Sequence, residues 1–191
     1  GTPWKSKGVA AGFAAMAERT IAALWAASRE GELPVVCDNS SCTEGLVHSL
    51  EHVVASDPRY AGLRLVDAVD FAAERLLPAL DPAPVADRLA VHPTCSSTRA
   101  GSNPALMRIA GAVAREAVVP DDWDCCAFAG DRGLLHEELT ATATREEAAA
   151  VRELDADLHL SLNRTCELGM TRATGKTYVH VLEELSARLG R

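Results

Sequence analysis

One pattern occurs twice in the chain, in Val35-Val36-Cys37-Asp38-Asn39-Ser40-Ser41-Cys42-Thr43-Glu44-Gly45 and in His159-Leu160-Ser161-Leu162-Asn163-Arg164-Thr165-Cys166-Glu167-Leu168-Gly169. Each copy has a short apolar run, then Asn-x-x-Cys-x-x-Gly, then a helical periodicity. Gly8 precedes Cys42 by 34 residues and Gly133 precedes Cys166 by 33, so a second landmark keeps nearly the same spacing. Two landmarks at matching distances predict an internal repeat in which each cysteine lies between a strand and a helix.

The rest of the chain continues this alternation of short apolar runs and helical patterns. Strands are predicted at 33–37, 63–66, 89–92, 118–119 and 157–162. Helices are predicted at 8–29, 43–54, 67–77, 103–115, 134–154 and 174–189. Such alternation predicts an α/β fold with a mostly parallel sheet flanked by helices, built from two related cysteine-loop halves. We expect each cysteine loop at the C-terminal end of a strand, where α/β folds usually place their sites.

The repeat divides the chain near a connector that contains three prolines, at 78–84. Residues 1–80 are expected to hold the C-terminal part of the first copy, and residues 85–191 the complete second copy. In the second copy, Cys125 and Cys126 stand directly before the region that matches the beginning of the chain. We therefore expect a Cys-Cys pair directly upstream of Gly1 in the parent sequence.

Composition and charge exclude several classes of function. The chain has 191 residues, of which 48% are hydrophobic and only 4% aromatic, so its core must consist mainly of Ala, Leu and Val. A net charge of −8 argues against a nucleic-acid surface, which needs clustered Lys and Arg. No apolar run approaches the ~18 residues that a bilayer-spanning helix requires, so we expect no transmembrane segment.

The chain contains six cysteines, which indicate either disulfides or a metal site. In a reducing cytosol, clustered cysteines serve as metal ligands or redox groups rather than as disulfides. Cys37 lies inside an apolar run and is expected to be a small core residue. The others stand in loops of small or polar residues and are the expected ligands: Cys42, Cys95, Cys125, Cys126 and Cys166. Thiolate-rich sites select zinc or iron–sulfur clusters, and an adjacent Cys-Cys pair favours a multi-iron cluster or one ligand beside an accessory thiol.

These motifs resemble the cysteine-rich "CCG" domain found in heterodisulfide reductases and in the iron–sulfur proteins of lactate utilisation and glycolate oxidation. The same domain occurs at the C-terminus of fused flavin-dependent D-lactate dehydrogenases, to which the resemblance is greatest. It rests on the segments 36–43, 92–95, 125–133 and 163–175, and so covers nearly the whole chain. Two positions depart from the family pattern. Ala127 stands where the motif has Gly, and the final Cys-x-x-Cys pair is reduced to Cys166.

The resemblance implies an iron–sulfur cluster of the 4Fe–4S type, bound by the five cysteines named above. It also implies a separate N-terminal domain of the same parent chain, in which FAD oxidises a D-2-hydroxy acid such as D-lactate. Electrons would then pass through the cluster to a quinone or a cytochrome, with these 191 residues not themselves catalytic on the hydroxy acid. The expected location is cytoplasmic, peripheral at the inner face of the membrane.

Two other functions fit the cysteines. A structural zinc site could stabilise an interaction domain, or Cys125 and Cys126 could take part in thiol–disulfide exchange. A third signal, His48-Ser-Leu-Glu51-His52, matches the His-x-x-Glu-His pattern of inverted zinc peptidases, but a solvated helix face explains it more simply.

Two histidines and one charged run lie near the cysteine loops in the sequence. His92 and His136 could be ligands or partners of ligands, although a structural hydrogen-bonding role is the more frequent one for such residues. The run from Arg145 to Glu153, which includes Glu147, is expected to form a solvated helix face.

Overall fold

The protein is described by a computed structural model that covers residues 1–80 and 82–189, with side chains up to residue 187. It consists of two compact units, Gly1–Ala68 and Val69–Arg191. Every strand pairing among the described residues is parallel, and helices flank the sheets. The predicted α/β class is therefore confirmed, while the derivation of the chain from two related halves stays a prediction.

The first unit is a small two-stranded sheet with helices against it. Its elements are α1 (Thr2–Ser6), α2 (Ala10–Ala27), β1 (Val35–Cys37), α3 (Ser40–Val54), a 3-10 turn (Pro58–Gly62) and β2 (Leu65–Asp67). Phe13, Ala17 and Ile21 recur every four residues, so they lie on one face of α2. That face forms the core of the unit with Val53 and Tyr60.

The second unit contains a four-stranded sheet. Its elements are a helical stretch from α4 (Ala68–Phe71) through a π-helical turn (Ala72–Leu76) to α5 (Leu77–Leu80), then β3 (Ala86–Val91), α6 (Cys95–Ala100), α7 (Asn103–Val113), β4 (Ala114–Val118), α8 (Arg132–Leu135), α9 (Glu137–Ala143), α10 (Arg145–Glu153), β5 (Leu158–Ser161), α11 (Arg164–Thr174), β6 (Val179–His180) and α12 (Val181–Leu189). The strand order is β4-β3-β5-β6.

The order of the strands follows from their burial. Leu89, Ala90 and Val91 at the end of β3 are completely buried, as is Leu160 of β5. Parallel strands that are covered on both faces need such continuous apolar runs, so β3 and β5 become the inner strands. Helix α7 covers the sheet with Leu106 among its buried residues. The C-terminal ends of β3 and β5 thus lie side by side inside the unit.

Two helix predictions differ from the structure. The predicted helix at 134–154 is three short helices, because His136 leaves the helical region with φ −137° and the Thr144 hydroxyl bonds the Thr140 carbonyl oxygen. The predicted helix at 174–189 begins only at Val181. Thr174 instead ends α11, and Gly175 closes that helix in the left-handed conformation at φ 73°.

Among the described residues, no helix combines the length and the apolar character that crossing a bilayer requires.

Candidate metal centre

Three neighbouring strands of the second unit are each followed by a segment that carries cysteine. Cys95 is the first residue of α6, just after β3, and Cys125 and Cys126 lie in the loop that follows β4. Cys166 lies in the first turn of α11, just after β5. Since β4, β3 and β5 are adjacent in the sheet, their loops converge at one edge. The expected position of the cysteine loops after strands is confirmed for this unit.

The closest pair in the cluster is Cys126 and Cys166. Their Sγ atoms are 3.1 Å apart and hydrogen-bonded, and both side chains are buried. The hydrogen bond with Cys166, together with bonds from His92 and from the Phe128 N–H, lowers the pKa of Cys126 to about 5 despite its burial. The same contact and burial raise the pKa of Cys166. The contact therefore favours a pair that shares one proton, with one thiolate and one thiol.

His92 completes a compact donor group with these two cysteines. One ligand atom each from His92, Cys126 and Cys166 lies within 4.8 Å of the others, and all three residues are buried. On the far side of the ring, Nδ1 is 2.7 Å from Oε1 of Glu147. Burial alone would lower the pKa of His92, but its bonds to the Cys126 sulfur and to the Glu147 carboxylate outweigh this and raise it to about 9.

Backbone contacts fix the position of His92 at the end of β3. Its N–H donates to the Leu160 carbonyl oxygen at 2.9 Å, and its own carbonyl oxygen accepts from the Ser161 hydroxyl at 2.9 Å. Both partners belong to β5, the strand that leads to Cys166. The Trp123 indole N–H donates to the carbonyl oxygen of Pro93, directly after the histidine. The imidazole is thus held by the sheet itself rather than by a free loop.

The Cys125-Cys126 loop has an unusual backbone conformation. Ala127 and Ala129 have φ of 53° and 45°, in the left-handed region that favours glycine. This conformation lets the Ala127 N–H approach the Cys125 sulfur at 3.4 Å, while the Phe128 N–H bonds the Cys126 sulfur. Backbone N–H groups aimed at sulfur stabilise thiolate.

Cys95 and Cys125 form the more exposed side of the cluster. Their thiols are hydrogen-bonded to each other, and both act electrostatically on Cys166. Burial and the neighbouring Cys95 raise the pKa of Cys125, although the Ala127 N–H opposes this. The Arg99 guanidinium lies 3.9 Å from the Cys95 sulfur. Four of the five predicted ligands are therefore close together in one unit.

The fifth predicted ligand, Cys42, belongs to the first unit. It is exposed in the first turn of α3, after the N-cap Asn39, whose side chain accepts from the Ser41 N–H. Asn163 occupies the same N-cap position before Cys166, with nearly equal backbone angles. Cys37 is buried at the end of β1, as expected of a core residue.

The peptidase-like histidines also lie in the first unit. The rings of His48 and His52 pack on Phe13 with centroids 5.3 and 5.2 Å from it. The side chains of His48 and Glu51 are largely exposed and 3.6 Å apart. This is the arrangement of a solvated helix face.

The prediction that Glu147 lies on a solvated helix face was wrong. Its side chain is buried, and the structure makes it the partner of His92. The sequence did indicate the burial of Glu147, because Glu147, Ala148 and Val151 have the spacing of one helix face. These three are the buried residues of α10. A carboxylate on the apolar face of a helix indicates a buried partner. His136, the other histidine near the loops, is exposed and contacts Glu138.

The donor set fits a soft metal. Cys126, Cys166 and His92 offer two sulfurs and one nitrogen, and Cys95 and Cys125 add two sulfurs beside them. Two thiolates bound to one zinc ion at ~2.3 Å stand roughly 3.8 Å apart. Metal entry therefore requires the Cys126 and Cys166 sulfurs to separate by several tenths of an ångström, which small side-chain rotations can provide.

Comparison with known proteins adds no family assignment. Neither a scan against protein-family models nor a search of curated proteins gave a match to this chain.

Proposed function

We propose that the Val69–Arg191 unit is a metal-binding electron-transfer domain that holds an iron–sulfur cluster on cysteine thiolates. The observation that carries this proposal is the convergence of Cys95, Cys125, Cys126 and Cys166 at the ends of three adjacent strands. Hard cations prefer oxygen ligands, whereas thiolate groups select zinc or iron–sulfur clusters. Four cysteines and one imidazole match the soft class.

The residues around the cysteines favour a redox role. When bound, an iron–sulfur cluster accepts and donates single electrons, with a potential set by charge, hydrogen bonds to sulfur and solvent exposure. Buried Cys126 and Cys166 would exclude water from one side of the cluster, and the Ala127 and Phe128 N–H groups would bond its sulfurs. The more exposed Cys95–Cys125 side would face the electron donor or acceptor.

The resemblance to CCG domains supplies the physiological context of the proposal. An FAD domain of the same parent chain would oxidise a D-2-hydroxy acid such as D-lactate. The cysteine domain would then pass the electrons to a quinone or a cytochrome, from a cytoplasmic site at the inner face of the membrane.

A structural zinc site is the second candidate. It is favoured by the compact group of His92, Cys126 and Cys166, since two sulfurs and one nitrogen with one further cysteine would complete a four-coordinate zinc site. Such a site would stabilise an interaction domain and carry no electrons.

Metal analysis of the full chain, purified without oxygen, tests the proposal. We expect iron and acid-labile sulfide, with sulfur-to-iron charge-transfer absorption in the visible range that bleaches on reduction. Cys166→Ser should abolish the colour, whereas Cys37→Ser, a matched change of a buried cysteine outside the cluster, should leave it. Tightly held zinc without colour would refute the electron-transfer function and favour the structural one. A reversible disulfide found by alkylation and mass spectrometry, without metal, would favour thiol–disulfide exchange.

A further inference from the structure

We propose that His92 is a nitrogen ligand of the metal that Cys126 and Cys166 hold, and that Glu147 is the positioning residue that orients its ring. This inference rests on the proposed function only in requiring a metal at the site. It changes the expected ligand set from cysteine alone to a mixed sulfur–nitrogen set.

The two ring nitrogens of His92 have different surroundings. Nδ1 is occupied by its 2.7 Å hydrogen bond with Glu147. Among the described residues, Nε2 has no oxygen or nitrogen partner, although the side chain is completely buried. Buried polar atoms are almost always satisfied, and the partner that Nε2 meets among the described residues is the sulfur of Cys126, itself a soft metal ligand. The atoms that it faces belong to Cys126 and Cys166, which are themselves soft metal ligands.

The burial of Glu147 supports the same assignment. A carboxylate with 2% exposure is unfavourable in a helix whose neighbours on that face are Ala148 and Val151. The contact with His92 accounts for its position, because an Nδ1–H bond to a carboxylate fixes both the orientation of an imidazole and its tautomer. In the neutral imidazole that binds a metal, the lone pair then lies on Nε2. Metal-binding histidines usually have such a partner on the other nitrogen.

The sheet preorganises the nitrogen and the sulfur. The backbone N–H and carbonyl oxygen of His92 are both bonded to β5, and β5 leads into the turn that carries Cys166. The two ligand-bearing residues are therefore held at a fixed separation by two paired inner strands. Binding a metal between them would need little reordering of the chain.

The competing role of His92 is a charged hydrogen-bond donor to the Cys126 thiolate, with no bond to a metal. Both roles require the same Glu147 contact, so geometry alone does not separate them. They differ in one measurable property, which is the presence of nitrogen among the atoms bound to the metal.

The experiment uses the full chain, prepared without oxygen, stripped of metal and titrated with zinc ion alone. X-ray absorption at the zinc edge should show a nitrogen shell at ~2.0 Å besides sulfur at ~2.3 Å. We expect His92→Phe to weaken zinc binding by about 100-fold and Glu147→Gln by about 10-fold. His159→Phe is the matched control, since it removes another buried histidine outside the donor group, and should change the affinity by no more than about threefold.

A second arm addresses iron. After reconstitution with iron and sulfide and reduction, pulsed electron paramagnetic resonance should detect a nitrogen coupling that is lost in His92→Phe. The zinc-edge spectrum is recorded on the unaltered chain, so it tests the inference even if a variant fails to fold.

The outcomes separate the two proposals. Bound metal with only sulfur neighbours, and equal affinities for His92→Phe and His159→Phe, would overturn the role of His92 and leave the cluster intact. Zinc bound with a nitrogen shell, but no iron taken up, would support the role of His92 and refute the electron-transfer function. A chain that binds neither zinc nor iron would overturn both.

Discussion

The His92–Glu147 contact should contribute far more to the stability of the metal-free protein than a surface contact of equal length. Arg88 and Glu116 provide the comparison, because their side chains also meet at 2.7 Å but are 44% and 53% exposed. The side chains of His92 and Glu147 are 0% and 2% exposed. The two substitutions to compare are Glu147→Ala and Glu116→Ala, which remove the same carboxylate from each pair.

Burial sets the expected magnitudes. Removing one member of a buried ion pair costs about 3–5 kcal/mol, since the other member keeps an uncompensated charge. The His92 imidazole can lose its proton, so we expect Glu147→Ala to lower the free energy of unfolding by about 3 kcal/mol, the lower end of that range. An exposed pair contributes at most about 1 kcal/mol, which bounds the effect of Glu116→Ala.

Urea unfolding in the presence of a chelator measures both effects without a contribution from bound metal. Trp4→Phe and Trp25→Phe would be made in every sample, so that Trp123 reports on the second unit alone. We expect the urea midpoint of Glu147→Ala to lie about 1–3 M below that of Glu116→Ala. Free energies of unfolding that agree within about 0.5 kcal/mol would refute the expected effect of burial.

Three further predictions concern the surroundings of the site. Gly133→Ala would place a Cβ 2.6 Å from the Phe128 ring, so urea unfolding should show a free energy of unfolding lower by about 1–3 kcal/mol. The control is Gly111→Ala, whose Cβ would meet no described atom within 4 Å. This change should leave the free energy of unfolding equal or raise it. Tyr178→Phe removes a buried hydroxyl that has no hydrogen-bond partner among the described residues. Thermal unfolding should therefore show a stability that is unchanged or raised by about 1 kcal/mol. A clear loss of stability would contradict this, because it would mean that the hydroxyl makes a hydrogen bond. Burial lowers the pKa of His159, so the folded state keeps it neutral while the unfolded chain takes up a proton as the pH falls through ~6.5. The contribution of His159 to stability is therefore lost as the pH falls from ~7 to ~5. His159→Gln should shift the difference between the urea midpoints at pH ~5 and pH ~7 toward greater stability at the lower pH.

The fold could be predicted from the sequence because its signals are local. Short apolar runs such as Leu89–Val91 and helical spacing such as Phe13, Ala17 and Ile21 report burial without knowledge of the partner. The interruptions of helices were harder to predict from the sequence. His136 interrupts a continuous helical pattern, and no local signal distinguishes it from a helical histidine.

The site could be predicted only as far as its cysteines. Their positions after strands follow from the alternation of elements, which places loops from adjacent parallel strands at one edge. The contact between His92 and Glu147 joins residues 55 positions apart and depends on how α10 packs on the sheet. Spacing along the chain carries no information on that packing, although the apolar neighbours of Glu147 show that it lies on a buried face.

The paired inner strands have a consequence for the dynamics of the sheet. At their N-terminal ends, the Asp157 carboxylate accepts hydrogen bonds from the backbone N–H groups of Asp87 and Arg88. These bonds join β5 to β3. At the opposite ends, a metal bound by His92 and Cys166 would form a second connection between the same two strands. Removal of the metal would then weaken this end, where the hydrogen bonds of His92 with Leu160 and Ser161 would remain. In the metal-free protein, amide hydrogen exchange in β3 and β5 should therefore become faster than in the metal-bound protein. The increase should be largest next to His92 and smallest next to Asp157.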